Sequence, residues 1–382
     1  MGNNRKKRTA ATPDPTSYVT HTLFRAAERL YKQKHIPVDR LDLSAVFDAT
    51  VLASSELQPT AVPVQPADPN HALPRLLAVV ELELLGTTVA PPPTPILVFP
   101  GCPGLIYLPA ALSPALQRYL VRASLTQYTV PPKKSNLTAH WDIPPEGLWS
   151  AAASSSDDVT DVPLRRGTLV DDDNTDGYAT SSAVHLRPEP AHALLDRLRW
   201  CTLGWQYNWT TKGYDAQDVA PFPPDLAAVS RAIALAVAHL VPANDDNNEN
   251  MGTGYPHLVP QAGVLNVYGR SDALMAHVDQ SEPNERAPLV SLSLGTDAVF
   301  LVGGPTRDTP PIALRLRSGD ALVMSGPARR AFHGIPRILD GHAPEWMSLD
   351  GDPNDPEWTR VVAYLRARGA RINLNVRQVE EI

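Results

Sequence analysis

The spacing of apolar residues after Pro288 constrains this chain more than any other feature. Residues 288–295, 298–304, 312–317 and 320–326 are four short apolar runs, each punctuated by Gly, Pro or Asp, which is the pattern of strands and turns. Ser318 and Gly319, between the third and fourth runs, read as a hairpin turn. A fifth segment alternates strictly: Arg371, Asn373, Asn375 and Arg377 fall on one face, and Ile372, Leu374 and Val376 on the other. Several short strands at close spacing predict a sandwich or jelly roll, the scaffold of cupin-type sites. Helical patterns flank them. The fold class expected is therefore α+β: a double-stranded β-helix (jelly-roll, cupin-like) core backed by helices, with an N-terminal helical extension.

Within that core, His277 and Asp279 lie two residues apart and share a face if they sit on a strand. A distant His333 can close a third corner of an octahedron. Two histidines and one carboxylate that leave three positions open form the facial triad of non-haem Fe(II) oxygenases. The His-x-Asp spacing alone says little, since with 11 His in 382 residues about one is expected by chance. A second one, His140 and Asp142, lies in a polar stretch ahead of Ile143, Pro144 and Pro145. Context separates them, because only His277 leads into the strand pattern.

Two Arg and two Asn at consecutive same-face positions, with no carboxylate among them, suit an anion pocket. Arg is the natural partner, because its planar fork donates two parallel hydrogen bonds to a carboxylate. The bland alternative is an edge strand whose polar face lies in water.

Taken together, Asn266 and Tyr268, the His277–Asp279 pair, His333 and the closing Arg371, Asn373, Arg377 strand resemble the AlkB family of Fe(II)/2-oxoglutarate-dependent dioxygenases. Residues 203–209, 300–304, 318–320, 324–326 and 377–379, with Arg307 and Asp308, make the chain similar to the branch containing the first AlkB homologue of eukaryotes. The resemblance implies that His277, Asp279 and His333 bind Fe(II), and that Asn266, Tyr268, Arg371, Asn373 and Arg377 bind the co-substrate 2-oxoglutarate. It also implies O₂ as the second co-substrate. Asn375 departs from the family, which more often has Thr there. The activity implied is oxidative removal of N-methyl groups from nucleic-acid bases, methyladenine in DNA or tRNA, such as N6-methyladenine or N1-methyladenine, with release of formaldehyde, succinate and CO₂. Two alternatives stand beside it: a 2-oxoglutarate-dependent demethylase or hydroxylase of a protein such as a histone, and a catalytically silent nucleic-acid-binding protein.

Trp205, Tyr207, Trp209 and Tyr214 form an aromatic group ahead of the barrel. Core packing is the default reading, and the other is a platform on which an extracted base stacks. The resemblance favours the platform for Tyr207 and Trp209.

The net charge of −7 argues against a protein that coats nucleic acid indiscriminately. Arg307, Arg315, Arg317, Arg329, Arg330 and Arg337 nonetheless surround the third ligand in sequence, and read either as a phosphate-binding rim or as partners of nearby acids. Cys102 and Cys201 form no zinc or redox motif. No apolar run reaches membrane-spanning length, so no membrane partner is expected; the resemblance implies methylated nucleic acid as the partner, unpaired or bulged because the base must leave its helix, and the expected state is a monomer. Residues 5–8, Arg-Lys-Lys-Arg, suggest the nucleus, with the mitochondrion and cytoplasm as further options.

Four regions are expected along the chain: a disordered basic tail (1–16), a helical and Pro-rich extension packing on the core (17–150), a disordered acidic insertion (151–190) and the dioxygenase domain (191–382). Helices are predicted over residues 17–34, with Val19, Leu23, Ala26, Ala27 and Leu30 as the packing stripe, and over 113–124, 191–200, 224–240 and 356–368. Residues 60–100 read as extended segments and loop, and 244–254 as a polar loop.

Overall fold

The computed structural model of the chain describes residues 22–51, 62–65, 72–87, 95–153, 161–165, 187–208, 211–241, 257–348 and 352–381. The basic tail and the 244–254 loop lie outside them. Among these residues eight α-helices follow in chain order: α1 (Leu23–Tyr31), α2 (Ala72–Leu85), α3 (Pro114–Thr126), α4 (Gly147–Ala151), α5 (Ala191–Leu195), α6 (Pro224–Ala236), α7 (Glu345–Ser348) and α8 (Pro356–Arg368). The strands are β1 (Val62–Gln65), β2 (Ile96–Val98), β3 (Leu105–Leu108), β4 (Trp200–Asn208), β5 (Gly213–Val219), β6 (Ala262–Tyr268), β7 (Leu274–His277), β8 (Leu289–Gly295), β9 (Ala298–Val302), β10 (Ile312–Leu316), β11 (Ala321–Met324), β12 (His333–Ile338) and β13 (Arg371–Arg377).

These strands make two sheets. The larger runs β1-β2-β3-β11-β8-β13-β6-β4-β5 and the smaller β10-β9-β12-β7. Strands β6 to β13 supply the inner part of the first and all of the second, with the chain crossing repeatedly from one to the other, and this is the expected jelly roll. The chain ahead of residue 150 contributes to it as well, since β3 pairs with β11 and extends the larger sheet.

Packing explains which face goes where. Ile372, Leu374 and Val376 of β13 are fully buried in the main cluster formed with α2, α3, α6 and α8. Burying each such side chain is worth about 1.5–3 kcal/mol, so the apolar face turns to the helix layer. The polar face must then point between the sheets. A second cluster, including Tyr107, Tyr268, Phe300 and Leu314, fills one part of that space. Because β13 pairs antiparallel with both β6 and β8, it is a central strand, and the edge-strand alternative falls.

The helix caps are those the sequence announces. Ser113 Oγ accepts from Leu116 N at 3.1 Å ahead of Pro114, and Asp355 Oδ1 accepts from Trp358 N at 2.9 Å ahead of Pro356. Gly369 ends α8 at φ +55°, where a Cβ would collide with Asp340 Oδ1. The chain is thereby aimed into β13.

Several expectations are corrected. Ser318–Gly319 does turn, but β10 pairs with β9 and β11 with β3 and β8, so the turn carries the chain between sheets and closes no hairpin. Residues 60–100 contain α2, a fourteen-residue helix, beside the strands β1 and β2; its Leu, Ala, Val and Glu content outweighs the prolines around it. In α1 the buried positions are Phe24, Glu28 and Tyr31, while Leu23 and Leu30 are exposed, and Val19 lies outside the described residues. The stripe is turned because a carboxylate, which hydropathy patterns leave out, occupies the packing face. The helix from Ala191 stops at Leu195, and Trp200 already belongs to β4. Of residues 151–190, Val162 is buried and bridges to Glu189, and residues 154–160 and 166–186 lie outside the described set.

Candidate metal centre and anion pocket

His277 ends β7, Asp279 follows in the loop, and His333 opens β12; His277 and His333 are register partners. One ligand atom from each of the three lies within 4.8 Å of the others. His277 Nε2 is 3.8 Å from Asp279 Oδ1, and His333 Nε2 is 3.6 Å from Asp279 Oδ2. The Nδ1 atoms face the backbone carbonyls of Met275 and Ala331, each at 3.0 Å. A carbonyl can only accept, so Nδ1 carries the proton and Nε2 keeps its lone pair turned to the shared space.

Electrostatics suit the same role. Burial, then the neighbouring His333, pushes His277 down to about 4, which keeps it neutral as a ligand. Burial alone would raise the Asp279 carboxyl, but Arg377 and the two histidines outweigh it and hold it well below the usual range. Arg377 Nη2 lies 2.9 Å from Asp279 Oδ2, and its Nη1 is 2.9 Å from Glu282 Oε1. Glu282 also takes Arg329 Nη2 at 3.0 Å and the Tyr214 hydroxyl at 2.9 Å.

Beside this group lies the anion pocket. Arg371 is 1% exposed and bonds through Nη2 to Ser293 Oγ at 2.7 Å, while its Nε and Nη1 have no hydrogen-bond partner among the described residues. A guanidinium buried with donors unmet is costly, and a carboxylate, which can accept from Nη1 and the second Nη2 hydrogen together, is the group that best meets them. Tyr268 is buried alongside, its hydroxyl pushed up by burial against the influence of Arg371. Asn266 Nδ2 donates to Asn373 Oδ1 at 3.3 Å, and Asn373 Nδ2 to Ser291 Oγ at 2.8 Å and Leu292 O at 3.0 Å. Asn375 Nδ2 approaches Asp279 Oδ2 at 3.4 Å, and its Oδ1 has no partner.

All eight predicted iron and co-substrate residues line one cavity of about 780 Å³, together with Tyr207. The donor set, two imidazole nitrogens and a carboxylate, suits Fe(II) with open positions, and the orphaned Arg371 donors suit the distal carboxylate of 2-oxoglutarate. Tyr207 lines the cavity and its hydroxyl is 3.1 Å from Ser281 Oγ. Trp209 lies outside the described residues. His140 is exposed, edge-on to Trp141, and not in the cluster.

Of the two readings of the arginines around His333, the structure favours partnered side chains. Arg315 binds Asp297, Arg317 Asp48, Arg329 Glu282 and Arg330 Glu285. Arg337 donates to the carbonyls of Gln33 and Ile36, and Arg307 to that of Ala276. Sequence reasoning missed Ser291 and Ser293, although their alternation in β8 was a signal. It also missed Glu282, for which no signal exists in one sequence.

Comparison with known proteins gives the same centre a family. Residues 171–377, more than half the chain, match the 2OG-Fe(II) oxygenase superfamily. The chain is 30% identical over 374 residues to the DNA N(6)-methyladenine demethylase ALKBH1A of Arabidopsis thaliana, covering 94% of this chain and 96% of that protein. It is 33% identical over 295 residues to the nucleic acid dioxygenase ALKBH1 of Mus musculus, covering 73% of this chain and 65% of that protein. The tRNA demethylase abh1 of Schizosaccharomyces pombe is 31% identical over 286 residues, with 74% and 80% covered. The chain belongs to the 2OG-Fe(II) oxygenase superfamily and, within it, to the AlkB group of Fe(II)- and 2-oxoglutarate-dependent dioxygenases.

Proposed function

We propose that this chain is an oxidative demethylase of nucleic-acid bases, acting on methyladenine in DNA or RNA. The observation that carries the reading is the single cavity that joins the His277–Asp279–His333 cluster to the unpaired donors of Arg371. The demethylase names of its relatives in Arabidopsis and S. pombe support the substrate class.

His277, Asp279 and His333 hold the iron, and Arg371 takes the far carboxylate of 2-oxoglutarate with Tyr268 and Asn266 beside it. Asn373 braces that wall through Ser291. Arg377, bonded to Asp279 and Glu282, orients the carboxylate ligand, and this is the contact it brings to the co-substrate site. Iron with 2-oxoglutarate and O₂ supplies a two-electron oxidation that places one oxygen atom on the N-methyl carbon; succinate, CO₂ and formaldehyde leave, and the bare base remains. The protein positions the base and excludes water.

Tyr207, at the cavity, stacks the base, and Trp209 follows it in sequence as the second platform residue. A base must leave its helix to reach a metal inside a barrel, at a cost of a few kcal/mol, so the preferred substrate is unpaired or bulged. The protein works as a monomer, and the basic 5–8 cluster addresses it to the nucleus. Formaldehyde release on methyladenine oligonucleotides, compared with methylated histone peptides, tests the reading; turnover of the peptides alone would overturn it.

A further inference from the structure

The strand that carries His277 is poorly held by its own sheet. β7 has four residues and is an edge strand among the described residues, paired there with β12 alone and through a bulge. An edge strand presents N–H and C=O groups that nothing in the sheet satisfies. Ala276, the residue before His277, has both taken by side chains from elsewhere. Its N–H donates to Glu28 Oε1 at 2.7 Å, and its carbonyl accepts from Arg307 Nη2 at 3.1 Å.

We propose that Glu28 and Arg307 are positioning residues for His277, so that the N-terminal helix is a working part of the metal site. Glu28 is 3% exposed, and a carboxylate that deep must be bonded at both oxygens. Arg25 Nη1 takes the second one at 2.8 Å. Arg307 is held in turn: its carbonyl accepts from Phe24 N at 3.0 Å, and its guanidinium sits 4.9 Å from the Phe332 ring centroid, beside His333. Further along, Arg337 donates to the carbonyls of Gln33 and Ile36 and fixes the far end of the same segment. The helix therefore holds the peptide before Ala276 through Glu28, and Arg307 holds the peptide after it.

Rotation of either peptide about Ala276 swings the His277 ring. Ligand geometry has to be kept to within about 0.5 Å, and two charge-assisted bonds, one on each of the peptides that flank the Ala276 Cα, supply that restraint where the sheet does not. The inference rests on His277 being a metal ligand, and the experiment separates the two.

The test uses the full chain with Mn(II), which binds without turnover, measured by anaerobic calorimetry. Hydrogen exchange of the peptide spanning residues 274–281 is followed in the metal-free protein. His277→Ala tests the ligand reading alone, and unchanged Mn(II) binding there overturns that reading. Glu28→Ala is expected to weaken Mn(II) about tenfold or more and to speed exchange in the 274–281 peptide. Glu28→Gln keeps an oxygen for Ala276 N–H and should return affinity to within about threefold of wild type on the same scale. Arg307→Met, which keeps the apolar stem, should weaken Mn(II) and speed the same peptide; it carries the comparison if Glu28→Ala does not fold. Wild-type Mn(II) affinity in both Glu28→Ala and Arg307→Met would overturn the proposal. So would a loss that Glu28→Gln fails to recover and that comes with faster exchange throughout the molecule.

Discussion

Arg371→Leu should weaken 2-oxoglutarate binding by about 30- to 1000-fold while leaving the metal site nearly intact. The guanidinium has five N–H donors, and in the folded protein its Nε and Nη1 are buried without partners. A carboxylate seated against that fork gains two charge-assisted hydrogen bonds, each worth about 1.5–3 kcal/mol, less the hydration it gives up. The net is about 2–4 kcal/mol, and each 1.4 kcal/mol is about tenfold in Kd. Leu also removes a cation that the ligand-free protein buries at a cost. The variant should then be at least as stable as wild type without co-substrate and lose the extra stability that 2-oxoglutarate gives wild type. Calorimetric titration of 2-oxoglutarate in the presence of Mn(II), with melting curves at rising 2-oxoglutarate, reads both effects. A change in Kd below about threefold, under about 1 kcal/mol, would refute the assignment of the anchor. A ligand-free variant that melts well below wild type would refute the claim that the cation is unsatisfied.

His277→Ala or Asp279→Ala should abolish Fe(II)-dependent turnover of 2-oxoglutarate, whereas His140→Ala, at an exposed position outside the cluster, should keep it; equal losses would mean the wrong pair was chosen. Arg377→Met should lower Mn(II) affinity more than 2-oxoglutarate affinity measured at saturating metal, because the side chain is bonded to Asp279; the reverse order would return Arg377 to direct co-substrate contact. Burial raises the Asp48 carboxyl, but bonds from Arg317 and Thr50 outweigh it and bring it down to about 2. A folded value below the unfolded one stabilises above the unfolded pKa and is lost as pH falls through the folded value. Asp48→Asn should therefore cost about 1–2 kcal/mol at neutral pH, after allowance for partial exposure, and progressively less from about pH 5 downward; urea unfolding that shows the same cost at both ends would exclude it. Tyr207→Ala should slow demethylation of unpaired methyladenine substrates by about tenfold or more, as loss of a stacking partner worth about 1–3 kcal/mol implies, and equal kcat/KM on duplex and unpaired substrates would sink the base-extraction picture.

The parts of the site that sequence made legible are those whose chemistry and period coincide. Arg371, Asn373 and Arg377 declare a face by alternation, and Ser113, Asp355 and Gly369 declare helix ends by residue type. Pairing is another matter. Ser318 and Gly319 look the same whether the next strand folds back or changes sheets, because turn residues encode a reversal and not a partner. The sequence left the arginines around His333 open between a basic rim and acid partners because their acids, Asp48 and Glu282 among them, are distant in sequence or featureless in context. Glu28 was invisible for a related reason: its value lies in a backbone N–H some 250 residues away, and a buried carboxylate on a helix reads as a solvated one until its partner is known.

The central place of β13 bears on how the molecule comes into being. It follows every other strand in the sequence, yet it lies between β6 and β8, so a ribosome delivers the keystone after the stones on both sides. Until then the larger sheet is two separate halves, each with a raw inner edge on which a chaperone or a second nascent chain can pair. The side chains of His277, Asp279 and His333 have already been synthesised by that stage, but the wall that faces them has not. Iron capture is thus tied to completion of the C-terminal strand, and a chain stalled before Arg371 would emerge as a poor metal binder with two exposed strand edges, a form that quality control can recognise.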